Sequence, residues 1–178
     1  MTELEPTIRR ARPDDAAAIA EVHIASWRST YPGIVDQAYI DALSLDDRAT
    51  TWARRLITDS KTAPDVLVAV DDGHLVGFLS GGLIREPFAA YEAELYAIYL
   101  LRIVQRQGLG RRLTREWARL TLAKGLSSAV VRVLAANPAR FFYEALGAEA
   151  IRHTQLVIGA STYPEIWYGW RNLLDLTA

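Results

Sequence analysis

Apolar residues recur at helical spacing through the first third of the chain. A helix start is predicted at Pro13–Asp15, where two acids precede a run of alanines, and the helical stripe ends at Tyr31-Pro32-Gly33. A second helical region is predicted from about Asp36, and a third begins at Asp46 or Asp47. The pattern therefore indicates a mainly helical N-terminal part.

Strand patterns precede and follow this helical region. Short β-prone runs at Thr7–Arg10, at residues 66–70 and at residues 75–79 are predicted strands, and the turn sequence Asp71-Asp72-Gly73 joins the last two as a hairpin. Further along the chain, the predicted elements are a strand at 94–101, a helix from 109 to Gly125, a strand at 129–135, a helix at 138–146, and a closing hairpin of strands at 151–158 and 163–168.

The order of these elements predicts the fold class. A strand–helix–strand unit places two parallel strands in one sheet, whereas hairpins add antiparallel neighbours. No linker or repeat divides the chain. The sequence therefore predicts one α/β (α+β) domain over residues 1–178, with a mixed, mostly antiparallel sheet, a parallel pair of strands at its centre and flanking helices.

Composition narrows the functions that this fold could serve. The chain of 178 residues has a net charge of −1, which disfavours a nucleic-acid or membrane-surface binder. It contains no cysteine, and its N-terminal residues lack the apolar core of a signal peptide, so we expect a cytoplasmic location. The histidines have no metal-ligand spacing, and no metal site is predicted.

The most informative local feature is a pair of glycines between a predicted strand and a predicted helix. Gly108 and Gly110 lie where the free amides of a first helical turn form an anion site suited to phosphate. A dinucleotide-binding loop would need glycine in place of Leu113, and a Walker A loop would need Gly-Lys-Ser/Thr where Arg111-Arg112 stands. Neither of these phosphate-binding loops fits.

A third phosphate-binding pattern does fit. The segment Gln105-Arg106-Gln107-Gly108-Leu109-Gly110 resembles Gln/Arg-x-x-Gly-x-Gly/Ala, the pyrophosphate signature of the GNAT superfamily of acyl-coenzyme A-dependent N-acetyltransferases, although Arg106 stands where many members have glycine. Asn137, followed by Phe142-Tyr143-x-x-x-Gly147, is similar to a later motif of this superfamily. The resemblance extends from about Thr7 to Trp170. It implies the GNAT fold, in which the two central parallel strands splay apart.

The resemblance also implies a binding site for acetyl-CoA as co-substrate. In the superfamily the pantetheine arm pairs with strand main chain in the gap between the splayed strands, and loop amides hold the pyrophosphate. Asn137 is expected to bind the pantetheine arm through its side-chain amide. The residues implied at this site are Ile98, Tyr99, Leu100, Gln105, Arg106, Gln107, Gly108, Leu109, Gly110, Arg111, Asn137 and Tyr143.

Acetyl transfer to an amine needs an uncharged nitrogen and a proton for the departing thiolate. An alkyl amine has a pKa near ~10.4, so its proton must be removed at neutral pH. Tyr143 matches the general-acid tyrosine of the superfamily. Glu94, which opens the acetyl-binding strand, is the best candidate for a base acting through water, and Glu92 on the same strand face could substitute. Positioning alone could also suffice.

The resemblance makes a small primary amine the predicted substrate, bound beside Trp27, Tyr31 and Glu92. Two alternatives stay open: acetylation of a protein N-terminus or lysine, and an acyl-CoA-binding sensor without chemistry. The presence of both Tyr143 and Glu94 disfavours the sensor. A homodimer is one option, since dimers are frequent in the superfamily. The sequence does not specify the amine or the length of the acyl chain.

Overall fold

A seven-stranded mixed sheet forms the framework of the protein. The structure is a computed structural model that describes residues 5–58 and 62–177. The strand order is β1-β2-β3-β4-β5-β7-β6, and in the described sheet β4 and β5 are the parallel neighbours while the other pairs are antiparallel. This confirms the predicted sheet with a central parallel pair. The strands are β1 (Thr7–Arg10), β2 (Asp65–Asp71), β3 (His74–Leu83), β4 (Ala93–Leu100), β5 (Ala129–Leu134), β6 (Glu149–Ile158) and β7 (Ser161–Trp170).

Helices cover both faces of this sheet. The first and third helices pack on one face, called here the α1 face, where Trp52 and Phe78 are buried. The fourth and fifth pack on the opposite face, the α4 face, where Trp117 and Tyr143 are buried with Leu95. Within the described ranges, every helix is too short or too polar to span a bilayer. The α-helices are α1 (Ala16–Thr30), α2 (Gln37–Asp41), α3 (Leu45–Leu56), α4 (Leu109–Ala123) and α5 (Arg140–Ala145).

Two helices begin at residues other than those predicted. Helix α3 begins at Leu45, because the Ser44 hydroxyl accepts a hydrogen bond from the amide of Asp47 at 3.2 Å and so acts as the N-cap. Helix α5 begins at Arg140, two residues after Pro138. The residues just before this helix form a turn instead. In this turn the side-chain oxygen of Asn137 accepts a hydrogen bond from the amide of Ala139 at 2.9 Å.

The central parallel pair separates soon after it begins. Strands β4 and β5 are paired at three positions, which end with Leu95 opposite Val131. Beyond these residues β5 is paired with β7 on its other side. The space between residues 96–100 of β4 and 132–134 of β5 is called the gap from here on. It is the splayed arrangement that the resemblance implies.

A β-bulge accounts for the separation. In β3, Ser80 pairs with Ala97 while the next residue, Gly81, pairs with Leu95, so Tyr96 is an additional residue in β4. A bulge bends its strand and increases the local twist. Here the bend occurs at the residue that follows the last β4–β5 pair, and it turns β4 away from β5.

Candidate active site

The loop between β4 and α4 has the geometry of an anion site. Gly108 immediately precedes α4 and has a φ of 83°, in the left-handed region that favours glycine. The first main-chain hydrogen bond of α4 runs from the amide of Arg112 to the carbonyl of Gly108 at 3.1 Å. The amides of residues 109–111 are therefore left for an external acceptor, and the positive end of the helix dipole adds to their attraction for anions.

Gly110 serves a different physical purpose. A Cβ atom at this position would lie 3.3 Å from the ring of Phe142 and 3.5 Å from Cδ1 of Leu100. Its absence lets α5 pack closely against the first turn of α4. The G-x-G spacing thus combines a conformational requirement at Gly108 with a packing requirement at Gly110.

The side chains of this loop fold back onto neighbouring main chain. Gln105 Nε2 donates to the carbonyl of Leu100, and Gln107 Nε2 donates to that of Ile103, both at 2.9 Å. The Leu109 side chain is buried in the core, so its amide is the group available to a ligand. The predicted pyrophosphate residues therefore offer mainly main-chain groups.

Arg106 adopts a left-handed conformation, with a φ of 61°, where many GNAT members have glycine. This conformation costs a non-glycine residue about 1–2 kcal/mol, and the extra entropy of glycine in the unfolded chain offsets part of the gain. We expect Arg106→Gly to raise the free energy of unfolding, measured in urea, by about 1 kcal/mol or less. The control Gln107→Gly should lower the free energy of unfolding instead. A less stable Arg106→Gly variant would contradict the strain assigned to this residue.

Five aromatic and amide side chains meet at the gap and are called the gap cluster: Trp27, Tyr31, Tyr99, Asn137 and Tyr143. Trp27 Nε1 donates to the hydroxyl of Tyr99 at 3.0 Å, and Asn137 Nδ2 donates to the hydroxyl of Tyr31 at 3.2 Å. The ring centroids of Trp27 and Tyr31 lie 4.4 Å apart. The structure thus brings two predicted amine-binding residues together with three predicted acetyl-CoA residues.

Tyr143 approaches this cluster from the opposite face of the sheet. It is buried with the residues of the α4 face, where its ring packs against Phe142 and Trp170. Burial, followed by the neighbouring Tyr99, raises the pKa of Tyr143 above its ordinary value. Within the described residues its hydroxyl has no hydrogen-bond partner.

Glu94, the predicted base, is engaged by Arg85. The carboxylate is buried, with 1% of the residue exposed. The amide and Nε of Arg85 donate to Oε2 at 3.1 Å, and Nη2 of the same arginine donates to Oε1. The hydrogen bond with Glu94 raises the pKa of Arg85. Glu94 would therefore share its oxygens with Arg85 if it acted as a base through water.

Glu92 is held by Ser127 rather than by a residue of the gap cluster. It precedes β4, and its Oε2 accepts hydrogen bonds from the amide and the hydroxyl of Ser127 at 2.7 and 2.9 Å. These hydrogen bonds lower the pKa of Glu92. A role for Glu92 in binding the amine stays a prediction.

A second ion pair lies on the α1 face and was not among the predicted site residues. Arg132 of β5 donates through Nε and Nη2 to Oε2 of Glu165 in β7, at 3.2 and 3.0 Å. Both residues lie inside otherwise apolar strands. Since a buried charge requires a partner, charged residues in such strands are the signal that could have identified them.

Comparison with known proteins establishes the family. YuaI, an uncharacterized N-acetyltransferase of Bacillus subtilis (strain 168), is 38% identical over 171 residues, which cover 96% of this chain and 95% of the relative. The chain belongs to the GNAT superfamily of N-acetyltransferases. The FR47-like protein family matches residues 75–157 of this GNAT enzyme. A spermidine N(1)-acetyltransferase of Thermoplasma acidophilum is 28% identical over 121 residues, or 67% of this chain and 72% of that relative.

Solved structures share the GNAT fold with this chain. The PaiA N-acetyltransferase of Thermoplasma acidophilum, in complex with coenzyme A, has a TM-score of 0.73 at 24% identity and covers 91% of this chain and 98% of its own. YncA, a putative acetyltransferase of Salmonella typhimurium with acetyl-CoA, has a TM-score of 0.69 at 22% identity, with coverages of 96% and 95%. These likenesses confirm the predicted fold.

Proposed function

We propose that this GNAT enzyme transfers an acetyl group from acetyl-CoA to the primary amine of a small molecule, by direct attack in a ternary complex. The observation that carries the proposal is the gap, where β4 has no strand partner on its β5 side beyond Leu95 and leads to the open amides before Arg112. The complexes of the PaiA and YncA structures with coenzyme A and acetyl-CoA support the choice of co-substrate.

The groups around the gap suit this co-substrate. When bound, acetyl-CoA supplies the thioester carbonyl that the amine attacks. The main chain of residues 98–100 offers strand-type hydrogen bonds to an extended pantetheine arm, and the amides of residues 106–111 suit a pyrophosphate. The amide of Gln105, which was also predicted to bind it, donates instead to the carbonyl of Arg102 at 3.2 Å. Asn137 donates one amide hydrogen to Tyr31 and retains a second for the pantetheine arm.

Tyr143 is the general acid in this proposal. Because burial raises its pKa, the phenol keeps its proton at neutral pH. The hydroxyl is not engaged by another described residue and is therefore available to the sulfur as the C–S bond breaks. Glu94 stays the sequence-based candidate for the base, with Arg85 as its ion-pair partner.

A covered surface near Trp167 supports a small molecule over an extended peptide. The Phe88 ring packs edge-on against Trp167 with centroids 5.6 Å apart, and the guanidinium groups of Arg132 and Arg152 lie 4.5 and 4.7 Å from the Trp167 centroid. These contacts occupy part of the surface that a peptide groove would need. The relative named spermidine N(1)-acetyltransferase also favours a small amine.

The first test is a calorimetric titration of the purified protein with acetyl-CoA, with NAD and ATP as controls. We expect selective binding of acetyl-CoA, because the loop lacks the residues of the dinucleotide and Walker A loops. A panel of polyamines, amino acids, aminoglycosides and peptide amines, followed by thiol release, then tests for the substrate. Equal binding of all three nucleotides, or no binding, would overturn the proposal.

A further inference from the structure

A buried carboxylate of the α1 face, that of Glu165, has one oxygen that accepts no hydrogen bond from the described residues. The residue is 3% exposed. Its Oε2 accepts four hydrogen bonds: two from Arg132 at 3.2 and 3.0 Å, one from the Thr154 hydroxyl at 2.8 Å and one from Trp167 Nε1 at 3.1 Å. Among the described residues none donates to Oε1. Oε1 is not among the fully buried side-chain atoms that lack a partner in the described residues. The indole nitrogen of Trp117 is one of those atoms.

The strand register places Glu165 beside the gap. Glu165 pairs with Leu134 of β5, and directly paired residues project from the same face of a sheet. Leu134 and Tyr31 are buried in one hydrophobic cluster, and Tyr99 packs against this cluster. Arg132, which holds Glu165, is the first residue of β5 beyond the last position paired with β4. Glu165 therefore shares a face with the amine-side residues of the gap cluster.

The two buried acids of this face differ in what they offer to a ligand. Both oxygens of Glu94 accept hydrogen bonds from Arg85, whereas Glu165 keeps Oε1 open. An alkyl amine is a cation at neutral pH and requires an anionic partner when it leaves water. Of the two carboxylates, Glu165 is the one with an oxygen that accepts no hydrogen bond from a described residue.

We propose that Oε1 of Glu165 binds the ammonium group of the substrate and orients its nitrogen toward the gap. This inference rests on the proposed function and specifies its substrate as a cationic alkyl amine. The four hydrogen bonds to Oε2 hold the carboxylate in one orientation. The Glu165 side chain therefore loses little conformational freedom when the amine binds.

The protons balance without another reactant. The bound ammonium first gives one proton to water, and its lone pair then forms the C–N bond as the C–S bond of the thioester breaks. Tyr143 gives its proton to the sulfur. The second proton lost by the nitrogen replaces the one that Tyr143 gave up.

The test is the substitution Glu165→Gln, which preserves the size of the side chain and removes its charge. The probe is the alkyl amine of the panel with the highest turnover, beginning with spermidine. We expect the KM for the amine to rise at least about tenfold, with a smaller change in kcat. The affinity for acetyl-CoA, measured by calorimetry, should stay that of the wild type.

A matched control separates this role from a structural one. Glu116→Gln makes the same substitution at a carboxylate of α4 that pairs with Arg119 and lies outside the proposed site, so the KM should change by less than about threefold. If Glu165→Gln does not fold, Glu165→Asp is the second variant. It keeps a negative charge beside Arg132, but its shorter side chain moves the carboxylate away from the amine, so the KM for the amine should also rise.

The outcomes distinguish this inference from the proposed function. An unchanged KM in the folded Glu165 variants, with acetyl-CoA bound and the amine acetylated, overturns the inference alone. A wild-type protein that does not bind acetyl-CoA overturns the proposed function.

Discussion

Tyr143→Phe is expected to lower kcat by about 100-fold or more and to leave the affinity for acetyl-CoA nearly unchanged, since a positioned general acid contributes roughly 10²–10⁴-fold. The substitution removes one oxygen from a buried ring and preserves its packing against Phe142 and Trp170. Because the hydroxyl has no described partner, the free energy of unfolding should not fall. Thiol release gives kcat, and calorimetry gives the affinity.

The control for this experiment is Tyr168→Phe. Tyr168 is also buried, but its hydroxyl donates to Oε1 of Glu144 at 2.6 Å. We expect this variant to lose about 1 kcal/mol of stability or more and to keep kcat within a few-fold of the wild type. Equal kcat in the wild type and in Tyr143→Phe would remove the general-acid assignment.

Gly81→Ala is expected to lower the free energy of unfolding by about 1–3 kcal/mol and to weaken the binding of acetyl-CoA. A Cβ at Gly81 would lie 2.5 Å from Nε1 of Trp117 and 2.9 Å from the carbonyl of Glu94. Trp117 is fully buried, so it has no free space to move into. Gly81 pairs with Leu95 at the bulge, and any shift there changes the width of the gap. Urea unfolding and calorimetry measure the two effects.

Gly77→Ala, in the same strand, is the matched control. Its Cβ would meet Cδ2 of Leu100 at 2.3 Å, but this atom is the end of a flexible side chain that can rotate away. The carbonyl of Tyr99, at 3.1 Å, is less crowded than that of Glu94 in the Gly81 variant. We expect a smaller loss of stability. A Gly81→Ala variant as stable as the wild type would contradict the close packing of Trp117 behind the bulge.

Local features of the fold could be predicted because they depend on neighbours in sequence. Asp72 and Gly73 have φ values of 44° and 78°, as a two-residue hairpin turn requires. Leu109, Leu113 and Trp117 are spaced four residues apart within the predicted helix, which places them on one face, and all three are buried on α4. The periodicity of side chains and the conformational freedom of glycine are sufficient for such predictions.

The contacts of the candidate site were less predictable. Arg85 and Glu94 lie nine residues apart and Arg132 and Glu165 lie 33 apart. Each pair depends on how strands are placed next to each other, and a one-residue change of register would reverse the face on which a side chain lies. The bulge at Tyr96 is such a change, and no local pattern in β4 indicated it.

The sequence by itself determined the kinds of elements, the phosphate-loop signature and the family, because each is encoded within a short segment of chain. Only the tertiary structure decided that Glu94 is paired with Arg85, that Tyr143 is buried on the α4 face, and that no described residue donates to Oε1 of Glu165. Those features arise from the register and separation of strands. They depend on the summed packing of residues far apart in the chain, which local spacing does not specify.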